Sequence, residues 1–510
     1  MVSKVFSGAV FGIEASLLTV EADMFSALPG IDIVGLADTA VKESKERIKA
    51  ALKNSHFAMP QKRIVINLAP ASTKKNGAYL DLPIALTILM ASGQLEREKS
   101  DGYLVLGELA LDGSIRRVDG TLPMVMEAVK NGITKVIVPY ENAHEAAIVT
   151  NCEVYGAKNL KEAVSHLKGE EEIEKTIVNI DKFFEEETFH GLDFSDVRGQ
   201  ESAKRALEVA AAGGHNVLMI GSPGSGKTML AKRIPTILPG LTFDEALEVT
   251  KIYSIAGLLD SDTPLVTKRP FRAPHHTVSN VSMTGGGSIP HPGEISLAHR
   301  GVLFLDEFPE FKKDAIEAMR QPLEDGNFTV SRVAGSATFP SSVMLIASMN
   351  PCLCGNFGDP AKECTCTPLT VRKYLSKISG PVMDRIDIQV QVPSVKYEDI
   401  SSDHKGESSE SIRERVEKAR KIQLERFEGA GIYSNAQMSA SMIEKFCPLT
   451  DECKSLLGEV FTRLGLSARA HARILKVART IADLDGSENI CPSHIAEAIG
   501  YRSLDNKMKL

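Results

Sequence analysis

The run Gly221-Ser222-Pro223-Gly224-Ser225-Gly226-Lys227-Thr228 fits the pattern G-x-x-x-x-G-K-[ST]. Each residue type has a physical reason. Glycines let successive backbone N–H groups turn inward around phosphate oxygens, Lys227 brings a cation to the β/γ phosphates, and the Thr228 hydroxyl completes a Mg²⁺ shell. A glycine-rich turn shares that composition, but here the run follows the apolar Val217 to Ile220 and opens a helical stretch, the context a phosphate loop requires. Downstream, Gly301-Val-Leu-Phe-Leu-Asp306-Glu307 ends an apolar run on two carboxylates. Alone, such a run is also a strand meeting solvent. Behind a phosphate loop it reads as Asp306 in the Mg²⁺ shell and Glu307 orienting and deprotonating the attacking water. A third run, Ser342 to Asn350, ends in an amide able to hold the water or the γ-phosphate. Finally, Cys352-x-Cys354 and Cys364-x-Cys366 form two short thiolate pairs at the ends of one loop. They are able to close a tetrahedral, structural Zn²⁺ site with no open position for chemistry; the alternative is four buried or reducible thiols.

These groups meet only if their strands run side by side in one direction. NVLMIGS, GVLFLDE, SVMLIASMN and IDIQVQVP are brief apolar runs separated by stretches long enough for crossovers, which predicts a parallel sheet covered by helices, with its ligand at the carboxyl ends of the strands. Residues 1–168 alternate IDIVGL, RIVINLA, GYLVLGELAL and KVIVPY with helical runs such as Leu82 to Gln94, a separate α/β unit. The acidic stretch over 169–192 has the composition of a solvated linker. The ATPase core is expected over 193–395, and 396–510 reads as a helical lid. In that lid Ile474, Leu475, Ala478, Ile481 and Ala482 recur at helical spacing.

The 510 residues are 43% hydrophobic, enough for several cores. A net charge of −7 excludes a chain coated in basic charge, so a nucleic acid needs a local patch or pore. No stretch has the length of a membrane span, and Glu14 interrupts the first apolar run with no cleavage site after it; a cytoplasmic protein is expected.

GSPGSGKT, the long stretch FRAPHHTVSNVSMTGGGSIPHPGEISLAHRGVLFLDEFPEF, NPCLCG and SGPVMDRIDI together resemble the Mg-chelatase-like AAA+ ATPases of the ComM/YifB family over nearly the whole chain. The resemblance implies ATP and Mg²⁺, and a ring, a hexamer, with ATP between subunits and an arginine supplied in trans. Arg385 in MDRID matches the finger position and Arg469 in LSARAHAR the sensor of the lid, with Arg473 the second choice. Either guanidinium neutralises charge that develops at a γ-phosphate. The glycine- and proline-rich insert around Gly285, Gly286, Gly287, Pro290 and Pro292 reads as too mobile for core, and the resemblance sends it toward a pore and a translocated polymer. His275, His276, His291 and His299 lack the spacing of a zinc protease and read as structural or loop histidines.

The N-terminal part resembles the Lon-protease-like fold in LAPASTKKNGAYLDLPIALTIL and GELALDGSIRRVDGTLPMVMEAVKNG. Tyr79 and Leu122 stand where a serine and lysine dyad belongs, so no peptidase activity is expected. Its Lys42, Lys45, Arg47, Lys49, Lys53, Lys62, Arg63, Lys74 and Lys75 read as a solvated helix face or as a phosphate-backbone surface. The family resemblance implies DNA as partner and branch migration in recombination or natural transformation. Val333 stands where related replicative helicases place a DNA-contacting lysine, with Arg332 beside it. The rivals are a chelatase motor driving a porphyrin-binding subunit and a protein-remodelling ATPase.

Overall fold

The structure is a computed structural model; it describes residues 2–36, 38–71, 75, 77–185, 191–287, 290–332, 335–359, 362–394, 406–464 and 467–502. The N-terminal part is a mixed seven-stranded sheet in the spatial order Gly30–Val34, Arg63–Ala69, Glu14–Phe25, Ser3–Phe11, Tyr103–Val105, Lys135–Pro139, Glu153–Ala157. The second and third runs read as strands from sequence lie beside a hairpin that the reading passed over. Ser3–Phe11 and Glu14–Phe25 pair antiparallel from Ser3↔Ala22 to Phe11↔Glu14 and turn at Gly12, whose φ of +66° favours glycine. The helix Asp81–Ala91 is buried from Asp81 to Met90, which explains its unbroken apolar sequence.

The ATPase sheet holds five strands in the order Phe271–Arg272, Val302–Leu305, Met344–Met349, Val217–Ile220, Ile388–Gln391, every pair parallel. The three strands expected to carry the phosphate chemistry are therefore immediate neighbours, and the fourth predicted run forms the edge. The helix Ala468–Leu484 presents Ile474, Leu475, Ala478, Ile481 and Ala482 to a core shared with the sheet and with the helix Glu201–Gly213. Arg426 and Arg479 both pair with the fully buried Asp483, fixing the lid's interior.

The acidic stretch is not wholly a solvated linker. The helix Ile180–Glu185 lays Ile180, Phe183 and Phe184 on a cluster with Leu122 and Ile148 of the first unit and Leu241, Ala246 and Leu265 of the second. Residues 186–190 lie outside the described part. At the same junction Gly120 N–H donates to Ser254 O at 3.0 Å and the Ser254 hydroxyl to the buried Glu145 at 2.5 Å. A second junction joins the turn Phe11–Gly12–Ile13 to Val330, Ala337 and Phe339 of the hairpin Asn327–Arg332/Gly335–Pro340. A Cβ on Gly12 would stand 2.6 Å from that of Ala337. No helix among the described residues is long and apolar enough to cross a membrane.

Of the nine basic residues, three have partners within the N-terminal unit. Arg63 pairs with Asp32 at 2.8 Å, the buried Lys75 donates to Pro70 O, and Arg47 forks onto the buried Asp81 at 2.8 and 3.1 Å. Lys74 lies outside the described residues. Burial pushes the Asp81 carboxyl up to about 6, against the pull of Arg47. Because the folded value is raised above that of the unfolded chain, this group favours the fold most below its unfolded pKa, and the gain declines as pH rises through about 6. Arg47→Met removes the cation that offsets this. It is expected to lower stability by about 3 kcal/mol at pH 7.5, with a smaller loss at pH 5, where the carboxyl is protonated. Urea unfolding at the two pH values checks this, and adding Asp81→Asn is expected to restore part of the loss.

Candidate active site

The phosphate loop leaves Ile220 at the carboxyl end of its strand and enters the helix Lys227–Arg233. Gly224 and Gly226 hold φ of +81° and +89°, backbone that side chains resist. Lys227 is buried, and its Nζ donates to the carbonyls of Gly221 at 2.7 Å and Ser222 at 3.0 Å and to Asn350 Oδ1 at 3.3 Å. Burial lowers its pKa below the usual lysine range, against the pull of Asp306 and Glu307. The ammonium thus sits folded back on its own loop, where a phosphate offers better acceptors than two carbonyls. The Ser225 hydroxyl is buried and has no partner. A curled, electropositive loop with such an orphan fits a polyphosphate.

Strand register carries the acids to this loop. Leu305 pairs with Ala347 and Ile220 with Met349, so Asp306, Ser348 and Thr228 converge across three adjacent strands. The Thr228 hydroxyl donates to Asp306 Oδ2 at 2.7 Å, and the Ser348 hydroxyl donates to Oδ1 of the same carboxylate. A hydroxyl and a carboxylate that already face each other in this way are the oxygen donors Mg²⁺ takes, with water and phosphate oxygens completing its octahedron. Glu307 follows at φ +53°, a left-handed backbone for a non-glycine residue, and its side chain is 60% exposed. Its carboxylate stands 3.5 Å from His276 Nδ1, and the His276 ring lies 4.1 Å from that of His275.

Three residues here escaped the sequence reading. His276, a loop histidine by its spacing, faces the expected base. Ser348, one of a run of apolar neighbours, looked like strand interior; only the register places its hydroxyl on Asp306. Gln200, also at a positive φ of 62°, donates through Nε2 to Ser225 O at 2.5 Å and Pro393 O at 3.2 Å, tying the loop to the edge strand. No signal short of the fold marks it. His299 is structural as read: it is buried, accepts from Ser342 N–H at 3.0 Å and lies 3.3 Å from Glu248.

The arginines do not join this cluster. Arg385 precedes the amino end of Ile388–Gln391, whereas the loop leaves the carboxyl end of the parallel strand beside it, with Val217 opposite Ile388. Four residues of strand separate the two ends, about 13 Å. Arg385 is buried and pairs with Glu324, its Nε without a partner. Arg473 meets Asp387 at 2.6 Å, and Arg469, 64% exposed, meets Asp384 at 3.2 Å. Burial opposes the charge on Asp387, yet His215 and Arg473 hold its carboxyl well below the usual range. All three guanidinium groups line an open cleft of about 910 Å³ at the end of the sheet remote from their own phosphate loop.

The glycine-rich insert is also not mobile in the sense its composition suggested. Met283 and Ile295 are buried in a core shared with Leu303, Leu345 and Phe308, and Gly285–Gly286 pairs with His291–Pro292. The glycines serve close approach, since a Cβ on Gly285 would stand 2.5 Å from His291 O. Ser288, Ile289 and Val333 lie outside the described residues. The four cysteines expected to cluster do so, with every Sγ within 4.8 Å of the others. Tyr79 lines a cleft of about 280 Å³ with Gly120 and His291, and Leu122 is buried in the junction between the two units.

The family described as magnesium chelatase, subunit ChlI, matches residues 193–400; the descriptions subunit ChlI of Mg-chelatase and magnesium chelatase, subunit ChlI C-terminal, match 20–142 and 406–502. Competence protein ComM of Haemophilus influenzae is 42% identical over 510 residues, covering 98% of this chain and 97% of its own length. Protein YifB of Escherichia coli is 42% identical over 506 residues, 99% and 97% of the two chains. A magnesium-chelatase 67 kDa subunit of Chlorobaculum tepidum is 29% identical over 164 residues, 31% of this chain and 23% of that one.

His276→Ala is expected to lower ATP turnover by about tenfold while leaving ADP affinity within about twofold, because the ring meets the expected base rather than the phosphate loop. Lys227→Ala is expected to abolish detectable ADP binding. Steady-state turnover and calorimetric titration separate the two effects, and equal loss of affinity in both variants would refute the distinction.

Proposed function

Since the chain belongs to the Mg-chelatase-like AAA+ family, with ComM and YifB among its full-length relatives, we propose that it is a ring-forming ATPase that moves along or remodels DNA. One observation supports the ring above all: the chain carries its phosphate loop and acids at one end of the parallel sheet and Arg385, Arg469 and Arg473 at the other. A protomer therefore offers a neighbour what it does not offer itself. Stacked head to tail, each copy presents its arginine-lined cleft to the next copy's phosphate loop, and a closed circle of such contacts leaves no site incomplete.

In that arrangement ATP supplies the scissile phosphoanhydride, and a Mg²⁺ ion would supply positive charge to the phosphate oxygens. Thr228 and Asp306 would hold the ion, and Ser348 holds Asp306. Lys227 exchanges its loop carbonyls for phosphate oxygens. Glu307 takes the proton of the attacking water, with His276 setting the direction of its carboxylate. Asn350, already 3.3 Å from Lys227, orients the γ-phosphate end. The neighbour's Arg385 leaves Glu324 and meets the charge that builds on the equatorial oxygens.

DNA as the substrate is favoured by the name of the ComM relative, a competence protein, and by the hairpin Asn327–Arg332/Gly335–Pro340. One face of that hairpin is buried on the N-terminal unit. The other exposes Thr329, Ser331, Arg332, Ser336 and Thr338, groups that suit a phosphate backbone. A chelatase motor is the weaker reading, because the chelatase relative matches only 31% of this chain.

ATP turnover is expected to rise severalfold with branched DNA and not with unfolded protein or a porphyrin. Glu307→Gln is expected to cut turnover at least about a hundredfold while retaining nucleotide. Arg385→Ala and Glu307→Gln, each inactive alone, are expected to recover part of the activity when mixed, since mixed rings contain intact sites. Turnover that is indifferent to every DNA form would overturn the DNA reading, and full turnover by a monomer would overturn the ring.

A further inference from the structure

The four-cysteine loop does not hang free. It begins two residues after Asn350, whose side chain meets Lys227, and its glycine lies against the phosphate loop. At Gly355, with φ of +83°, a Cβ would stand 2.5 Å from Cδ and 2.8 Å from Cγ of Pro223. Only glycine lets the cysteine loop approach the phosphate loop this closely.

The thiols themselves are arranged for one ion. Cys352 Sγ lies 3.3 Å from Cys354 Sγ and 3.7 Å from Cys364 Sγ, and Cys354 and Cys364 are 3.6 Å apart. Cys366 completes the group, all four sulfurs lying within 4.8 Å of one another. Zn–S bonds of about 2.3 Å at tetrahedral angles place sulfurs about 3.8 Å apart, so the four surround a single zinc ion with little movement. Sulfurs this close leave no room for an iron–sulfur cluster, in which the thiolates bind different irons. Phe357 N–H donates to Cys352 Sγ at 3.3 Å, the kind of outer hydrogen bond that orients a metal-bound thiolate.

We propose that Cys352, Cys354, Cys364 and Cys366 bind one structural Zn²⁺, and that the zinc-closed loop is a clasp that fixes Pro223 and Asn350, so that nucleotide affinity depends on the metal. This rests on the nucleotide-binding reading of the phosphate loop, and it goes further by giving that loop a metal-dependent wall. Binding of zinc to the folded chain and not to the phosphate loop means that the coupling runs through packing alone.

The test uses the full chain, purified under reducing conditions without chelator after growth with added zinc. Metal analysis is expected to return about one zinc per chain. Cys364→Ser with Cys366→Ser is expected to lose the zinc and to bind ADP about tenfold more weakly or worse. Gly355→Ala keeps all four thiols. It is expected to retain zinc yet lose ADP affinity to a similar degree, and it keeps the test decisive if the thiol variant fails to fold. Absence of zinc from the wild type, or iron in its place, overturns the metal assignment. Zinc loss without loss of ADP affinity, or undiminished affinity in Gly355→Ala, overturns the clasp alone. Failure of the wild type to bind ADP overturns the nucleotide reading and the clasp with it, while the zinc count stands or falls separately.

Discussion

The common direction of the five ATPase strands is the constraint on which the site depends. A parallel sheet has two chemically distinct ends, and every strand that contributes to the phosphate site does so at the same one. Because Val302–Leu305, Met344–Met349 and Val217–Ile220 are neighbours, Asp306 just past the first strand receives hydroxyls from Ser348 in the second and from Thr228 in the helix that follows the third. The acid on this end is stabilised by hydroxyls, and the lysine is stabilised by its own carbonyls. The site is thus closed on itself in a form that a triphosphate and a cation would reopen.

The same direction accounts for the other end. Arg385, Arg469 and Arg473 are tied to Glu324, Asp384 and Asp387, carboxylates of their own chain, so each guanidinium is held in place before any partner arrives. The largely buried Arg385 and Arg473 would cost stability unless they were paired. A preformed cationic cleft loses little conformational entropy on association.

What sequence alone conveyed divides along physical lines. The phosphate loop, Asp306, Glu307 and Asn350 were legible because their chemistry sits in contiguous runs whose apolar neighbours announce a buried strand. The thiol cluster was legible because its partners lie within one loop. Ser348, His276 and Gln200 were not, since each acts across a register or a turn that no local pattern encodes. The glycine-rich insert misled for a related reason: glycine marks close approach as well as freedom, and composition does not distinguish them. Here a Cβ on Gly285 would meet backbone 2.5 Å away, and Met283 and Ile295 on either side of the glycines are core. The first hairpin was missed because its twelve-residue second strand, Glu14–Phe25, mixes acidic and apolar residues on a sheet covered unevenly. The acidic linker hid Phe183 and Phe184, two aromatic residues sufficient to dock it.

The turn Phe11–Gly12–Ile13 grips the hairpin of the ATPase core, and a second junction at Leu122 and Glu145 lies well apart from it along the chain. In space the two contacts adjoin, because Gly12 and Gly120 line the same cleft of about 280 Å³ and a Cβ on Gly120 would stand 2.9 Å from Val10 Cγ2. The N-terminal unit therefore meets the phosphate-loop unit along one continuous seam rather than through a tether alone.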